Sequence, residues 1–193
     1  MNSITVFCGS SLGSDNMYKE QAYEVGKVLA GKKMTLVYGG AKYGLMGAVA
    51  DGVLNNKGKV IGVLPHFLKT KEVAHQELTE LIIVDTMHER KAIMNELCDG
   101  FITLPGGFGT MEELFEIMTW SQLGLHGKPI GLLNVNGFYD TFIAFIQSMV
   151  DRGFVKEVNQ KMLLVSNNID DLLHKMANYT PPLTTPWITE ETT

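Results

Sequence analysis

Short β-branched or apolar runs alternate with longer amphipathic runs along almost the whole chain, and no other feature restricts its fold so strongly. A strand covered on both faces reads as a continuous apolar run, whereas a helix lying on a sheet repeats its apolar residues three or four apart. The first pattern occurs at residues 4 to 10 (ITVFCGS), 34 to 40, 59 to 65, 81 to 85, 100 to 106, 128 to 134 and 161 to 167. The second follows at 17 to 32, 44 to 58, 88 to 98, 110 to 124, 138 to 153 and 169 to 179. Strands that alternate with helices predict βα units, and therefore a doubly wound, mostly parallel sheet with helices on both faces. Residues 66 to 80 show neither period.

With 193 residues, 45% of them hydrophobic and 19% charged, one α/β domain over residues 1 to 179 accounts for the pattern. Residues 180 to 193 (TPPLTTPWITEETT) are rich in Pro and Thr, which predicts an extended or disordered tail with Trp187 able to dock on the body. The net charge of −5 argues against nucleic acid or a membrane surface as partner, because both select a basic face. Cys8 and Cys98 have no metal-site or disulfide-framework spacing. The histidines at 66, 75, 88, 126 and 174 show no ligand motif, so no metal is expected. No cationic leader or membrane-length apolar run appears, and the expectation is a soluble, cytoplasmic protein.

Loops leaving the carboxyl ends of parallel strands share one rim, where ligands of such sheets bind. FCGSS, with Gly9 and Ser10, follows the first strand, and YGGAKYGLMG, with Gly39 and Gly40, follows the second. DTMHERK, with His88, follows the fourth and LPGGFGT the fifth. Glycine turns also occur for backbone reasons alone, but three on one rim favour a ligand. No Walker A pattern is present, which argues against nucleotide triphosphate hydrolysis of that type.

LPGGFGTMEE fits the first two glycines of a dinucleotide fingerprint with Gly107 and Gly109, but Glu112 stands where the third belongs. A carboxylate there complements the helix dipole yet repels a pyrophosphate, so an NAD-dependent oxidoreductase is disfavoured and a single phosphate on the Gly107 to Thr110 amides is favoured. Arg90 and Lys91 come early in their helix, where cations oppose the dipole. Two accounts offset that: pairing with Glu89, Glu96 or another carboxylate, or an anionic ligand on the rim. Arg90 is one of two arginines, the other being Arg152, in a chain with 16 Lys and Arg together. Planar recognition of phosphate or carboxylate favours arginine.

PGGFGTMEE at residues 105 to 113, with the upstream Arg90–Lys91 pair, resembles the signature of the Lonely Guy (LOG) family of cytokinin riboside 5′-monophosphate phosphoribohydrolases. The resemblance extends from FCGSS to about residue 180. It implies a Rossmann-like homodimer, often labelled "lysine decarboxylase", that cleaves the N-glycosidic bond of AMP or a prenylated AMP without a cofactor. By the same resemblance Glu72, Arg90, Lys91, Gly107, Phe108, Gly109, Thr110, Met111, Glu112, Glu113 and Thr119 contact the nucleotide, and Arg90 and Glu113 are catalytic. Glu113, placed in the first turn of its helix, is expected to be ionised and to stabilise the ribosyl cation while orienting or deprotonating water. Arg90 either polarises the departing base or positions the sugar and Glu113. The rival reading is a nucleotide or molybdenum-cofactor carrier without hydrolase activity.

Overall fold

The computed structural model describes residues 1 to 68 and 74 to 182. Seven strands, β1 (Ser3–Phe7), β2 (Thr35–Tyr38), β3 (Val60–Pro65), β4 (Glu80–Val84), β5 (Gly100–Thr103), β6 (Ile130–Leu133) and β7 (Leu163–Ser166), form one sheet. Its order is β4-β3-β2-β1-β5-β6-β7, and every pairing between these strands is parallel. The helices are α1 (Asn16–Gly31), α2 (Gly44–Leu54), α3 (Met87–Glu96), α4 (Phe108–Gln122), α5 (Asp140–Asp151), α6 (Glu157–Gln160) and α7 (Ile169–Ala177).

Successive strand residues point to opposite faces and so divide the core in two. Ile4, Val6 and Ile102 pack under α1, α2 and α7 with Val25, Leu29, Val49, Val53 and Leu172. Phe7, Val37, Phe101, Ile130 and Leu132 pack under α3 and α4 with Met94, Leu114 and Ile117. The doubly wound sheet read from the alternation is therefore present, and its strand order reverses between β1 and β5. That reversal opens a crevice at the carboxyl ends of the two strands.

Most predicted strands extended too far at their carboxyl ends. The first ends at Phe7, because the Gly9 amide leaves the ladder to bond the Pro105 carbonyl at 3.0 Å. The helix expected from residue 44 to 58 ends at Leu54, and Lys57 turns the chain with a left-handed φ of 59°. The helix expected to start at residue 110 starts at Phe108, since the Gly107 carbonyl accepts its first bond from Met111 at 3.1 Å. The single turn of α6 and the short 3-10 segments His66–Leu68 and Val135–Gly137 have too few residues for a period to reveal them. Glu72 and residues 183 to 193, including Trp187, lie outside the described residues.

Helices α1 and α2 touch backbone to backbone through two glycines. A methyl on Gly26 would overlap the Val49 carbonyl, and one on Gly52 would overlap the Tyr23 carbonyl. Gly52→Ala should therefore destabilise the protein by about 1–3 kcal/mol through overpacking, read as a lower urea midpoint. Gly31→Ala, where an added methyl meets none of the described residues within 4 Å, should leave that midpoint unchanged or raise it.

Candidate active site

Three loops are locked together at the β1/β5 crevice by main-chain contacts. Besides bonding Pro105, Gly9 accepts from the Leu45 amide at 3.0 Å, which ties the first loop to the start of α2. Gly106 lies so close to Gly9 and Thr110 that a side chain there would collide with the Thr110 hydroxyl. Gly44, at φ 68°, lies against the Ser10 carbonyl, where a methyl would overlap it. These glycines let three backbones meet, and the N-terminus of α4 is fixed as a result.

That N-terminus has no side-chain cap. The amides of Phe108, Gly109 and Thr110 precede the first intrahelical hydrogen bond, so they are free to bind an anion with the positive end of the helix dipole. Among the described residues, a methyl on Gly107 or Gly109 would meet nothing within 4 Å, which leaves open space above the amides.

Helix α3 resolves the two accounts of its cations. Thr86 and Glu89 form a capping box: the Thr86 hydroxyl accepts from the Glu89 amide at 3.1 Å, and Glu89 accepts from the Thr86 amide at 3.3 Å. Glu89 thus supplies the negative charge that the dipole favours. Consecutive helical residues diverge by about 100°, and Arg90 and Lys91 part accordingly. The Lys91 ammonium turns to α4, 2.6 Å from Glu112 and 3.0 Å from Glu116. Burial alone would lower its pKa, but the hydrogen bonds to the two carboxylates outweigh burial and hold it above the usual lysine value. Arg90, only 6% exposed, reaches the cleft and donates from Nε to the Val63 carbonyl at 3.1 Å.

Glu112 and Glu113 do not occupy the first turn of α4. With the helix beginning at Phe108, both fall in the second turn, where the dipole has weakened. Glu113 still has some surface open to the cleft, yet protein surrounds it on most sides, and burial pushes its carboxyl up to about 7. Arg90 opposes the rise, and Glu112 adds to it. The expectation of an ordinary ionised carboxylate is corrected: burial holds the Glu113 carboxyl well above the usual carboxylate range.

The cleft has a volume of about 290 Å³. Of the sequence candidates, Ser10, Arg90, Gly107, Phe108, Gly109, Thr110, Glu112 and Glu113 line it. Lys91 instead pins α3 to α4, and Met111, on α4, is half-buried against the core. Thr119 donates to the Phe115 carbonyl at 2.7 Å, farther along the helix. Gly9 acts through the loop interlock; Gly40, at φ 80°, turns the chain and accepts from the His75 amide at 3.1 Å. His88 is exposed on α3 and is not in the lining. Cys8, Met46, Leu68 and Met87 also line the cleft and were not selected from the sequence as site residues. Their positions just after strands, or at the start of the following helix, were the available signal. Among the described residues, no group of three His, Cys, Asp or Glu is placed to hold a metal ion.

A family model described as "possible lysine decarboxylase" matches residues 46 to 176. The probable cytokinin riboside 5′-monophosphate phosphoribohydrolase LOGL9 of Oryza sativa subsp. japonica is 46% identical over 92% of the chain and 78% of its own length. The cytokinin riboside 5′-monophosphate phosphoribohydrolase LOG2 of Arabidopsis thaliana is 44% identical over 92% of the chain and 84% of its own. A solved molybdenum cofactor carrier protein from Chlamydomonas reinhardtii superposes with a TM-score of 0.69 over 92% of this chain and 98% of that one, but at 19% identity it shares the fold alone. Fold and site together define a Rossmann-like α/β protein with a cleft at the β1/β5 switch point. The chain belongs to the LOG family of phosphoribohydrolases.

The raised carboxyl has a measurable consequence. A group whose folded pKa lies above its unfolded one contributes stability below the unfolded pKa, and that contribution is lost as pH rises to the folded pKa. For Glu113 the loss runs from about pH 4.5 to about 7. Glu113→Gln should therefore be more stable than the parent at pH 8 by on the order of 1–3 kcal/mol, and show no such gain at pH 4. Thermal melts at the two pH values read the difference.

Proposed function

We propose that the chain hydrolyses the N-glycosidic bond of a purine nucleoside 5′-monophosphate, AMP or a prenylated AMP, releasing the free base and ribose 5-phosphate. One observation carries this reading: a guanidinium and a carboxyl of raised pKa share a cleft whose wall includes the uncapped N-terminus of α4. The names of the relatives supply the substrate class.

The 5′-phosphate lies on the amides of Phe108, Gly109 and Thr110, which fixes the ribose along the cleft. As the C1′–N9 bond breaks, its electron pair leaves with the base and positive charge grows on the sugar. Ionised Glu113 stabilises that charge and takes a proton from the water that attacks C1′; the departing base takes up one proton from solvent and Glu113 returns its own, so the products are the neutral base and ribose 5-phosphate. A carboxyl that titrates near neutrality is a stronger base than an ordinary carboxylate and is ionised often enough to act. Arg90, on the same cleft, polarises the departing base or positions the sugar. Glu72 and Thr119 enter this reading as further nucleotide contacts by family resemblance, and Lys91 as the residue that holds α3 and α4 at the right separation. The reaction as written needs no cofactor.

A decarboxylase that uses a Schiff base requires a lysine with a free amine in the cleft. Among the described residues no lysine lines it, and Lys91 is held charged between Glu112 and Glu116. A carrier of anionic cofactor gains nothing from Glu113, whose negative charge would oppose its cargo.

Exposed apolar side chains support a homodimer. Phe115, Phe145 and Phe154 are 37%, 55% and 80% exposed, on or just beyond α4 and α5. Leu114 and Ile117 belong to the core of the chain itself, so they are not part of such a face. Sedimentation at micromolar concentration should give about twice the mass of 21.3 kDa, and Phe145→Glu should shift the population to monomer. A monomeric parent protein contradicts the dimer.

For the chemistry, Glu113→Gln should retain AMP binding and lose adenine release by roughly a hundredfold or more. The parent rate should rise as pH increases through Glu113 ionisation, around 7. Chromatography of the base released from AMP and isopentenyl-AMP measures both effects. Near-normal turnover by the glutamine variant would remove Glu113 from the mechanism.

A further inference from the structure

The Arg90 guanidinium enters the cleft over the end of β2, and the residue beneath it is Gly39. A methyl on Gly39 would overlap Nη2 and stand 3.2 Å from Cζ, with the Met46 sulfur at 3.0 Å. The Gly39 backbone does not itself require glycine, because its φ lies outside the left-handed region; its neighbour Gly40, at φ 80°, is the residue that does. The sulfur of Met46 ends a flexible side chain and can move aside. The guanidinium cannot retreat as freely, since Nε is bonded to the Val63 carbonyl at 3.1 Å and the side chain is buried.

We propose that Gly39 is a positioning residue for Arg90: its missing side chain leaves the space that the Nη2 end of the guanidinium occupies at the end of β2, where the group lines the cleft with Glu113. The carbonyl of Val63 on β3 holds Nε, and the bare Cα of Gly39 leaves room for Nη2. An alanine keeps the backbone and removes the space, so it moves the cation and leaves the fold in place. A misplacement of about 1 Å in such a group is enough to reduce turnover roughly a hundredfold. The proximity of Arg90 also lowers the titration of Glu113, so a displaced guanidinium changes that titration too. The effect on turnover rests on the hydrolase reading above, whereas the contact between Gly39 and Arg90 does not.

The test has two arms on the full chain. In the first, Gly39→Ala is assayed with AMP: kcat should fall about a hundredfold with KM nearly unchanged, and the midpoint of the pH–rate profile should move. In the second, thermal melts compare the parent, Gly39→Ala, Arg90→Ala and the double variant. The loss of melting temperature caused by Gly39→Ala should disappear in the Arg90→Ala background, where the methyl no longer meets a guanidinium. Additive losses in that cycle, or an active parent whose kcat and pH profile survive Gly39→Ala, would overturn the proposal. A parent that releases no adenine would refute the hydrolase reading, and the melting cycle would still decide whether Gly39 positions Arg90.

Discussion

The hydrogen bond from the Gly9 amide to the Pro105 carbonyl is the contact on which the candidate site depends. It joins the ends of β1 and β5, the two adjacent strands between which the order of the sheet reverses. A reversal alone leaves a crevice of no fixed shape, because the loops on either side leave in opposite directions. Here Gly9 also accepts from Leu45, and Gly106 lies against Gly9 and Thr110. The start of α4 is thus oriented by backbone contacts from two other loops, and its free amides point into the cleft. An anion site built this way needs no side-chain cation at its centre.

That economy explains how one cleft accommodates a phosphate site and a carboxyl. Two glutamates beside an anion-binding turn would be mutually unfavourable with the phosphate if both faced it. Lys91 binds Glu112 together with Glu116 and so compensates much of their charge. Glu113, one residue on and about 100° around the helix, is left to the cleft with Arg90. The same rotation separates Arg90 from Lys91 on α3. The cationic pair thus splits into a structural member, Lys91, and a cleft member, Arg90, whereas both glutamates line the cleft and Glu112 does so paired with Lys91.

The sheet was legible because buried parallel strands and amphipathic helices carry different periods, and those periods survive in single segments such as FITLP and IGLL. Strand ends were less so. FCGS and FITLPG continue as apolar or small residues past the last ladder bond, and only a long-range contact, Gly9 with Pro105, decides where each strand stops. The cleft was legible where loops carried glycines and paired charges: Arg90, Gly107 to Thr110 and the two glutamates stand together as their positions on the rim implied. Cys8, Met46, Leu68 and Met87 were not, since an apolar residue lining a cleft looks the same in sequence as one in the core. The state of Glu113 was misread for a related reason. It depends on a two-residue shift in the start of α4 and on how much protein surrounds the carboxyl, and neither is encoded locally.

The surroundings of Glu113 also show how stability and chemistry oppose each other at one atom group. A fully solvated glutamate would titrate near 4.5, and it would be too weak a base to take a proton from water efficiently. Burial raises its basicity, but the same burial makes its charged form unfavourable in the folded state. Arg90 limits the cost by drawing the carboxyl partly back toward its ordinary value. A closer guanidinium would draw the carboxyl further down, and a more distant one would leave burial less opposed. The location of Arg90 therefore tunes Glu113 as well as facing the substrate, and that location is set by two pieces of backbone, the Val63 carbonyl and the bare Cα of Gly39.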